Sequence, residues 1–397
     1  MGISIAIAGK PNSGKTTLFK ALTLANVEIA SYPFTTIKAN HGISYLRVPC
    51  VCRELKVKCE KCIDGNRFIP VAVVDVAGLV PDAHKGRGLG NAFLDEMRQS
   101  EAIIHVVDAS GSTDIEGNQV GVSNHDPLDD IDFFEKEVTM WIFGIIKKNW
   151  DRISRKAQLE EMRIERFIHD QLTGLGISEG NIKNALGRAE LDPEKPADWS
   201  DGDLIKFADE IRRISKPLIL AANKIDIAPE ENLSGLKALE KKGYMVIPTC
   251  AAAEVALRLA EKSGLIKYLP GDSDFQVLKP EKLTNAQRNA LEKLSLLLKK
   301  FGSTGVQQCL NTVVFKLLNM IVVYPVEDEN KYCDKNGNIL PDAFLVKRGS
   351  TARDLAYLVH SDLGEGFLYA IDAKTKRRLG EKTALEHNSV VKIVSAR

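Results

Sequence analysis

The chain has 397 residues, 44% of them hydrophobic and 27% charged, the make-up of a globular protein of two or three domains rather than a disordered or fibrous one. Its 54 basic and 53 acidic residues leave a net charge of +1. That excludes a global pull on nucleic acid or membrane, so any such partner has to be met by a local patch. No apolar stretch is long enough to span a bilayer, and the seven cysteines do not make the pattern of a secreted disulfide framework. The first residues carry no basic leader and no cleavage site. A cytoplasmic protein with no membrane partner is expected.

In chain order, residues 3–8 form a short apolar run of strand type, followed by Gly9-Lys10-Pro11-Asn12-Ser13-Gly14-Lys15-Thr16 and a helical pattern from Thr17. Four residues between the glycines, then Lys-Thr, is the complete phosphate-loop spacing, and it stands in the strand–loop–helix context it requires. Backbone N–H groups of Gly9 to Thr17 and the helix N-terminus are expected to cradle a triphosphate. Lys15 should reach its β and γ phosphates and Thr16 should give its hydroxyl to Mg²⁺. Tyr32-Pro33-Phe34-Thr35-Thr36 follows. A threonine there, Thr36 in preference to Thr35, is expected to complete the Mg²⁺ shell and to sense the γ-phosphate, the basis of an order–disorder switch.

Two strand-type runs, 42–48 and 68–74, flank a polar segment with Cys50-x-Cys52 and Cys59-x-x-Cys62. Four thiolates suffice for a tetrahedral Zn²⁺ site; a local disulfide or free structural thiols are the alternatives. Asp75-Val76-Ala77-Gly78 ends the second strand. Asp75 is placed to hold Mg²⁺, and Gly78 to let a backbone N–H approach the γ-phosphate. Buried parallel strands are expected at 102–107, 217–222 and 244–248. The long gap between the first two of these, filled by helical periodicity, predicts an inserted helical subdomain opened by Asp132 with Glu135. Asn223-Lys224-Ile225-Asp226 then ends a buried strand. The Asp226 carboxylate there can accept from N1–H and the 2-amino group of guanine, which adenine does not offer. Asn223 is expected to tie this loop to the phosphate loop, Lys224 to lie over the base, and Cys250-Ala251-Ala252 to present a backbone N–H to guanine O6. Thr284 with Gln287 reads as a capping box that opens a helix to about Phe301. From Met320 the pattern turns to strands and turns.

The fold class expected is α/β: a P-loop doubly wound, mostly parallel sheet with a helical insertion and a C-terminal α+β domain. The predicted boundaries are 1–124 with 214–275 for the nucleotide domain, 125–213 for the insertion, 276–319 for linker helices and 320–397 for the last domain.

The runs 9–16, 32–36, 75–80 and Gly86-Arg87-Gly88-Leu89-Gly90-Asn91-Ala92-Phe93-Leu94 resemble the Obg superfamily of GTPases. The insertion and the C-terminal segment resemble its YchF-like branch, whose chains end in a TGS domain, a small ubiquitin-like β-grasp. The resemblance implies a slow GTP-hydrolysing switch associated with the ribosome or another RNA assembly. YchF proteins tend to lose the guanine-reading aspartate and accept ATP, whereas this chain keeps Asp226, so GTP is expected to be preferred.

The position after Asp-x-x-Gly, where many GTPases place a water-orienting glutamine, is Leu79. Asn12 matches the asparagine with which potassium-dependent GTPases hold K⁺ beside the phosphates, so K⁺ stimulation is expected. Lys15, Thr36, Gly78 and Asn12 form the expected catalytic group, with His84 and Lys85 as candidate helpers or merely a solvated loop pair. The basic run 374–378 with Lys382 is a candidate phosphate-backbone contact. A monomer is expected. Two further readings stand beside the switch: a nucleotide-gated binding module with incidental hydrolysis, and a metabolic kinase, which Asn223 to Asp226 disfavours.

Overall fold

The computed structural model describes residues 3–24, 40–85, 96–160 and 163–396. They fall into two compact units. One gathers 45–70 with 310–396, and the other holds the rest. The expected threonine switch at Thr35 and Thr36, and the glycine-rich run 86–94, lie outside the described residues.

The unit that holds the rest is built on the parallel strands of a seven-stranded sheet. β1 (Ser4–Ala8) leads into helix α1 (Lys15–Thr23), and then come β2 (His41–Pro49), the one-turn helix α2 (Cys52–Leu55), β3 (Cys62–Ile63), β4 (Asn66–Asp75), β5 (Ala102–Asp108), β6 (Leu218–Asn223) and β7 (Val246–Pro248). The sheet order is β2-β4-β1-β5-β6-β7, with β3 paired to β4, and β8 (Ile266–Lys267) and β9 (Gln276–Val277) form a separate antiparallel pair. Most of β2, all of α2 and β3, and the first half of β4 fall within 45–70 and are counted with the other unit. β1 pairs in parallel with both β4 and β5, β5 with β6, and β6 with β7. All seven residues of β5 are buried, as a strand covered on both faces requires. The register sets Ile7 beside Asp75, Ala8 beside His105, Asp108 beside Asn223 and Ala222 beside Pro248. The carboxyl ends of five strands therefore share one edge, where open α/β sheets hold their ligands.

The insertion consists of α3 (Pro127–Lys147), α4 (Trp150–Leu159), α5 (Ile164–Leu172), α6 (Glu179–Ala189) and α7 (Asp201–Ser215). It shares one apolar core with the sheet: Val138, Ile142, Ile168, Leu186 and Phe207 join Ala6, Val74 and Ile103 in the same buried cluster. The cap of α3 corrects the sequence expectation. Asp126, not Asp132, accepts the N–H of Leu128 at 2.9 Å, and Pro127 takes the first helical position, where its missing N–H costs nothing. Asp132 lies inside the helix, and Glu135 accepts from Arg212 at 3.1 Å and from the Tyr244 hydroxyl at 2.9 Å. The second expected cap is present: Thr284 and Gln287 form a reciprocal box at the start of a helix over Asn285–Phe301.

In the other unit, β10 (Met320–Val326), β11 (Phe344–Lys347), β12 (Phe367–Asp372), β13 (Arg378–Leu379) and β14 (Ser389–Ser395) form a sheet in the order β11-β10-β14-β12-β13. Its two central strands, β10 and β14, are parallel, and a helix over Ala352–Val359 packs Leu355 into the core with Ile321, Val323 and Val391. The ribbon 45–70 belongs to this unit, not to the nucleotide unit. Arg67 donates to the carbonyls of Leu340 (2.6 Å) and Pro341 (3.2 Å), Lys374 pairs with Glu54 (2.9 Å), and Asn311 donates to the Arg47 carbonyl (2.8 Å).

Candidate functional site: a phosphate loop with a base-reading loop

The chain leaves β1 at Ala8, crosses Gly9 to Gly14 and enters α1 at Lys15. Gly14 has φ +100, and a Cβ there would lie 2.2 Å from the Asn223 amide nitrogen; only glycine fits this turn. Asn223 explains the closeness. Its Nδ2 donates to the Ser13 carbonyl at 3.0 Å, and its Oδ1 accepts the Ala251 N–H at 3.1 Å. One amide thus links the phosphate loop, the end of β6 and the helix that starts at Ala251. It also uses the N–H of Ala251, so of the three residues expected to face guanine O6 that donor is already engaged.

Lys15 is buried, and its ammonium donates to the Lys10 carbonyl at 2.7 Å. Burial pulls its pKa down from 10.5 to about 8, with the Asp75 carboxylate opposing. Asp75 stands across from Ile7 and shares a hydrogen bond with Thr16. Burial raises its pKa, and Thr16 and Lys15 hold it back. Its Oδ1 is buried without a partner. An orphaned carboxylate oxygen beside a threonine hydroxyl fits the donor set of a Mg²⁺ shell. Gly78 lies against Pro11, and Leu79 is buried with its N–H on the Gly9 carbonyl at 3.1 Å. Asn12 is exposed and donates to the Gly117 carbonyl at 3.0 Å.

Asp226 is exposed at the mouth of this edge, and its Oδ1 accepts from the Cys250 thiol at 3.3 Å. Burial, then the Asp226 carboxylate, push that thiol up to about 12, so it stays a neutral donor that aims the carboxylate. Lys224, with φ 65, reaches Asp108 at 2.8 Å and Ser112 at 3.3 Å. Asp108 is wholly buried. Burial works against its ionised form, but hydrogen bonds from Lys224, Ser110 and Thr113 hold its carboxyl below the usual range.

The sequence reading missed a second layer, which belongs to α3. Lys10 is buried; it pairs with Asp130 at 2.8 Å and donates to the Thr113 carbonyl at 2.6 Å, and His125 meets the same Asp130 oxygen at 2.7 Å. Two turns along, Glu137 accepts the N–H groups of Asp82 (3.0 Å) and His84 (3.1 Å) and meets the His84 ring at 2.7 Å. Positions seven apart lie on one helix face. So α3 grips the phosphate loop with one carboxylate and the segment after Asp75-x-x-Gly78 with another. His84 is therefore tied to the insertion, and Lys85 pairs with exposed Asp82 at 2.8 Å. The only sequence signal for this layer was a pair of acidic residues at heptad spacing.

A phosphate loop, a buried orphaned carboxylate oxygen beside its threonine, and an Asn-Lys-x-Asp loop locked to it define a P-loop nucleotide-binding site. The comparisons agree. Residues 4–135 match the family described as 50S ribosome-binding GTPase, 221–328 the Obg-like GTPase G4-motif domain and 336–395 the TGS domain. The chain is 54% identical to an uncharacterized GTP-binding protein of Methanocaldococcus jannaschii over 99% of both chains. A GTP-binding protein from Pyrococcus horikoshii, solved by crystallography, is 43% identical, with a TM-score of 0.80 over 99% of this chain and 100% of that one. The ribosome-binding ATPase YchF of Haemophilus influenzae is 28% identical over 93% of this chain and 88% of its own. The chain belongs to the Obg-like GTPases, in the YchF-like branch with a C-terminal TGS domain.

Proposed function

We propose that the protein hydrolyses GTP to GDP and phosphate with Mg²⁺, acting as a slow switch on the ribosome or another RNA assembly. The observation that carries this reading is Asn223, hydrogen-bonded to both Ser13 and Ala251. It ties the loop that carries Asp226 to the phosphate loop at one strand edge. In this reading Gly9 to Thr17 hold the phosphates and Lys15 neutralises them. Thr16, Asp75 and Thr36 would hold Mg²⁺, which would supply neutralisation of the phosphate charge. Asp226 selects guanine over adenine, and Lys224, fixed by Asp108, covers the base. With Leu79 buried where a glutamine would orient water, intrinsic turnover is slow. K⁺ at Asn12, whose side-chain nitrogen is held by the Gly117 carbonyl, is expected to raise it.

Release of γ-phosphate would be felt by α3 through Asp130 and Glu137, the two carboxylates on the phosphate loop and on the following segment. Exposed Arg377 and Lys382 are the cations of the last domain suited to an RNA backbone. The other cations of that run are engaged: Lys374 with Glu54, Lys376 with the Glu329 carbonyl and over the Tyr332 ring at 5.1 Å, and Arg378 over the Tyr369 ring at 3.8 Å. The chain would act as a monomer in the cytoplasm. The test is phosphate release from GTP and from ATP, with and without ribosomes, in potassium and in sodium. Ribosome-stimulated, GTP-selective turnover supports the switch. Equal turnover of both nucleotides, unmoved by ribosomes, supports the second reading, a nucleotide-gated binding module. The YchF relative's name as a ribosome-binding ATPase is what keeps that reading open.

A further inference from the structure

The ribbon between β2 and β4 turns back on itself twice. Cys50 follows the end of β2, Cys52 opens the one-turn helix α2, and Lys56 leaves it in the left-handed region at φ 55. Cys59 and Cys62 then lead into the β3–β4 hairpin, whose turn residues Asp64 and Gly65 both have positive φ, the signature of a type I′ turn. Backbone N–H groups of Cys52 and Lys61 point at the Cys50 and Cys59 sulfurs. The four Sγ atoms lie within 4.8 Å of one another. The Cys50–Cys59 and Cys52–Cys62 pairs stand at 3.7 and 3.8 Å. A disulfide needs about 2.05 Å. A tetrahedron of sulfurs at about 2.3 Å from a central zinc has edges of about 3.8 Å. Cys50, Cys52 and Cys59 are 3–6% exposed and Cys62 is half-buried, which suits a closed structural site rather than an open catalytic one.

The surroundings suit a dianionic cluster. Arg67, directly across from Cys62 in the hairpin, is 4% exposed, and its NH1 is buried without a partner. Tyr324 of β10 is wholly buried, its hydroxyl is unpartnered, and it lies within electrostatic reach of Cys50 and Cys59. Both groups have a spare proton to give to sulfur that has lost its own.

We propose that Cys50, Cys52, Cys59 and Cys62 bind one zinc ion as a tetrathiolate, and that this ion holds the 45–70 ribbon in its folded form against β10 of the C-terminal sheet. Soft sulfur ligands in closed tetrahedral geometry select Zn²⁺ over the hard cations of the nucleotide site. Each thiol gives its proton to solvent as its sulfur binds, and the ion supplies the ribbon with the folding free energy that a segment of this length cannot draw from a core of its own. The ion plays no part in nucleotide chemistry, so the proposal stands or falls apart from the reading above.

The experiment uses the full chain, reduced and stripped of metal, then reconstituted with Zn²⁺ or Co²⁺. The expected results are one metal per chain by elemental analysis, the charge-transfer and d–d absorption of a tetrahedral cobalt tetrathiolate, and protection of four thiols from a thiol reagent. Cys62→Ser, the least buried ligand, should lose the tetrathiolate spectrum and hold zinc at least about tenfold more weakly, with binding of a fluorescent GTP analogue unchanged. On zinc removal, amide exchange should accelerate in 50–70 and 320–326 and stay constant in 9–16 and 218–226. A reduced chain that takes up no zinc, or one in which all four thiols react at the same rate with and without zinc, overturns the metal site. A Cys50–Cys59 or Cys52–Cys62 disulfide found in protein kept under reducing conditions does so too. Zinc uptake without any change of exchange in 320–326 overturns the link to β10.

Discussion

The phosphate-loop edge and the cysteine ribbon both hold charge inside a folded chain, by opposite means. At the strand edge the charge belongs to a ligand that comes and goes. The chain therefore keeps its counter-charges in balance beforehand: Lys10 with Asp130 and His125, Lys224 with Asp108, and Lys15 on a backbone carbonyl. In the ribbon four sulfurs lie within 4.8 Å of one another, while buried Arg67 and Tyr324 keep unpartnered donors. The orphans differ in kind: the strand edge leaves the buried acceptors Asp75 Oδ1 and Asp130 Oδ2 without partners, whereas the ribbon leaves buried donors, Arg67 NH1 and the Tyr324 hydroxyl.

That contrast is breakable. The largest effect should come from Asp130→Ala, which strands the buried Lys10 ammonium; removing one partner of a buried pair costs about 3–5 kcal/mol. Denaturant unfolding of the nucleotide unit should register that loss, with zinc content unaltered. Lys15→Ala removes a charged hydrogen-bond donor worth about 1.5–3 kcal/mol, and should weaken GTP binding by about 10–100-fold in a fluorescence titration, again without touching the ribbon. Gly14→Ala forces a Cβ onto Asn223 in the left-handed region, at about 1–3 kcal/mol of strain. Both GTP and ATP should bind less well, because the loop and not the base reader is damaged.

The smallest effect is a pH dependence. Lys15 in the free protein titrates near 8, below its ordinary 10.5, and a bound phosphate raises it again. Binding therefore takes up a proton above pH 8, and GTP affinity should be level below that pH and fall by about tenfold per unit above it. The same shift makes the nucleotide-free folded chain bind fewer protons than the unfolded one between about 8 and 10.5, so this group's contribution to stability rises with pH across that window. Affinity that stays flat from pH 7 to 10 would count against the buried ammonium.

The two regions also differ in how much of them a reader of the sequence could see. Gly9 to Thr16, Asp75 and Asn223 to Asp226 are contiguous runs whose spacing encodes their geometry, because each sits at the end of a buried strand that its apolar residues announce. The predicted parallel sheet and β-rich C-terminal domain, and the Thr284 cap, follow from the same local signals. Asp130 and Glu137 were invisible, since what they touch is a matter of how α3 packs on the sheet. The Asp126 cap has its signal in Pro127, a residue that suits the first helical position, whereas Asp132 with Glu135 only mimics a cap from inside the helix. The cysteines lay between: their spacing allowed a metal, a disulfide or free thiols, and sulfur–sulfur distances of 3.7 and 3.8 Å are too long for the disulfide. Nor did spacing reveal that residues 45–70 pack with 310–396, a contact more than two hundred residues away in sequence.

The account turns on Asp226, and competitive titration of GTP and ATP against the intact protein and Asp226→Ala tests it most directly. The intact chain should favour GTP by about 5–150-fold, from about 1–3 kcal/mol of base discrimination, and the variant should bind the two alike while keeping its hold on the triphosphate. An intact chain that binds ATP as tightly as GTP, or a variant that still prefers GTP by the same margin, would contradict it.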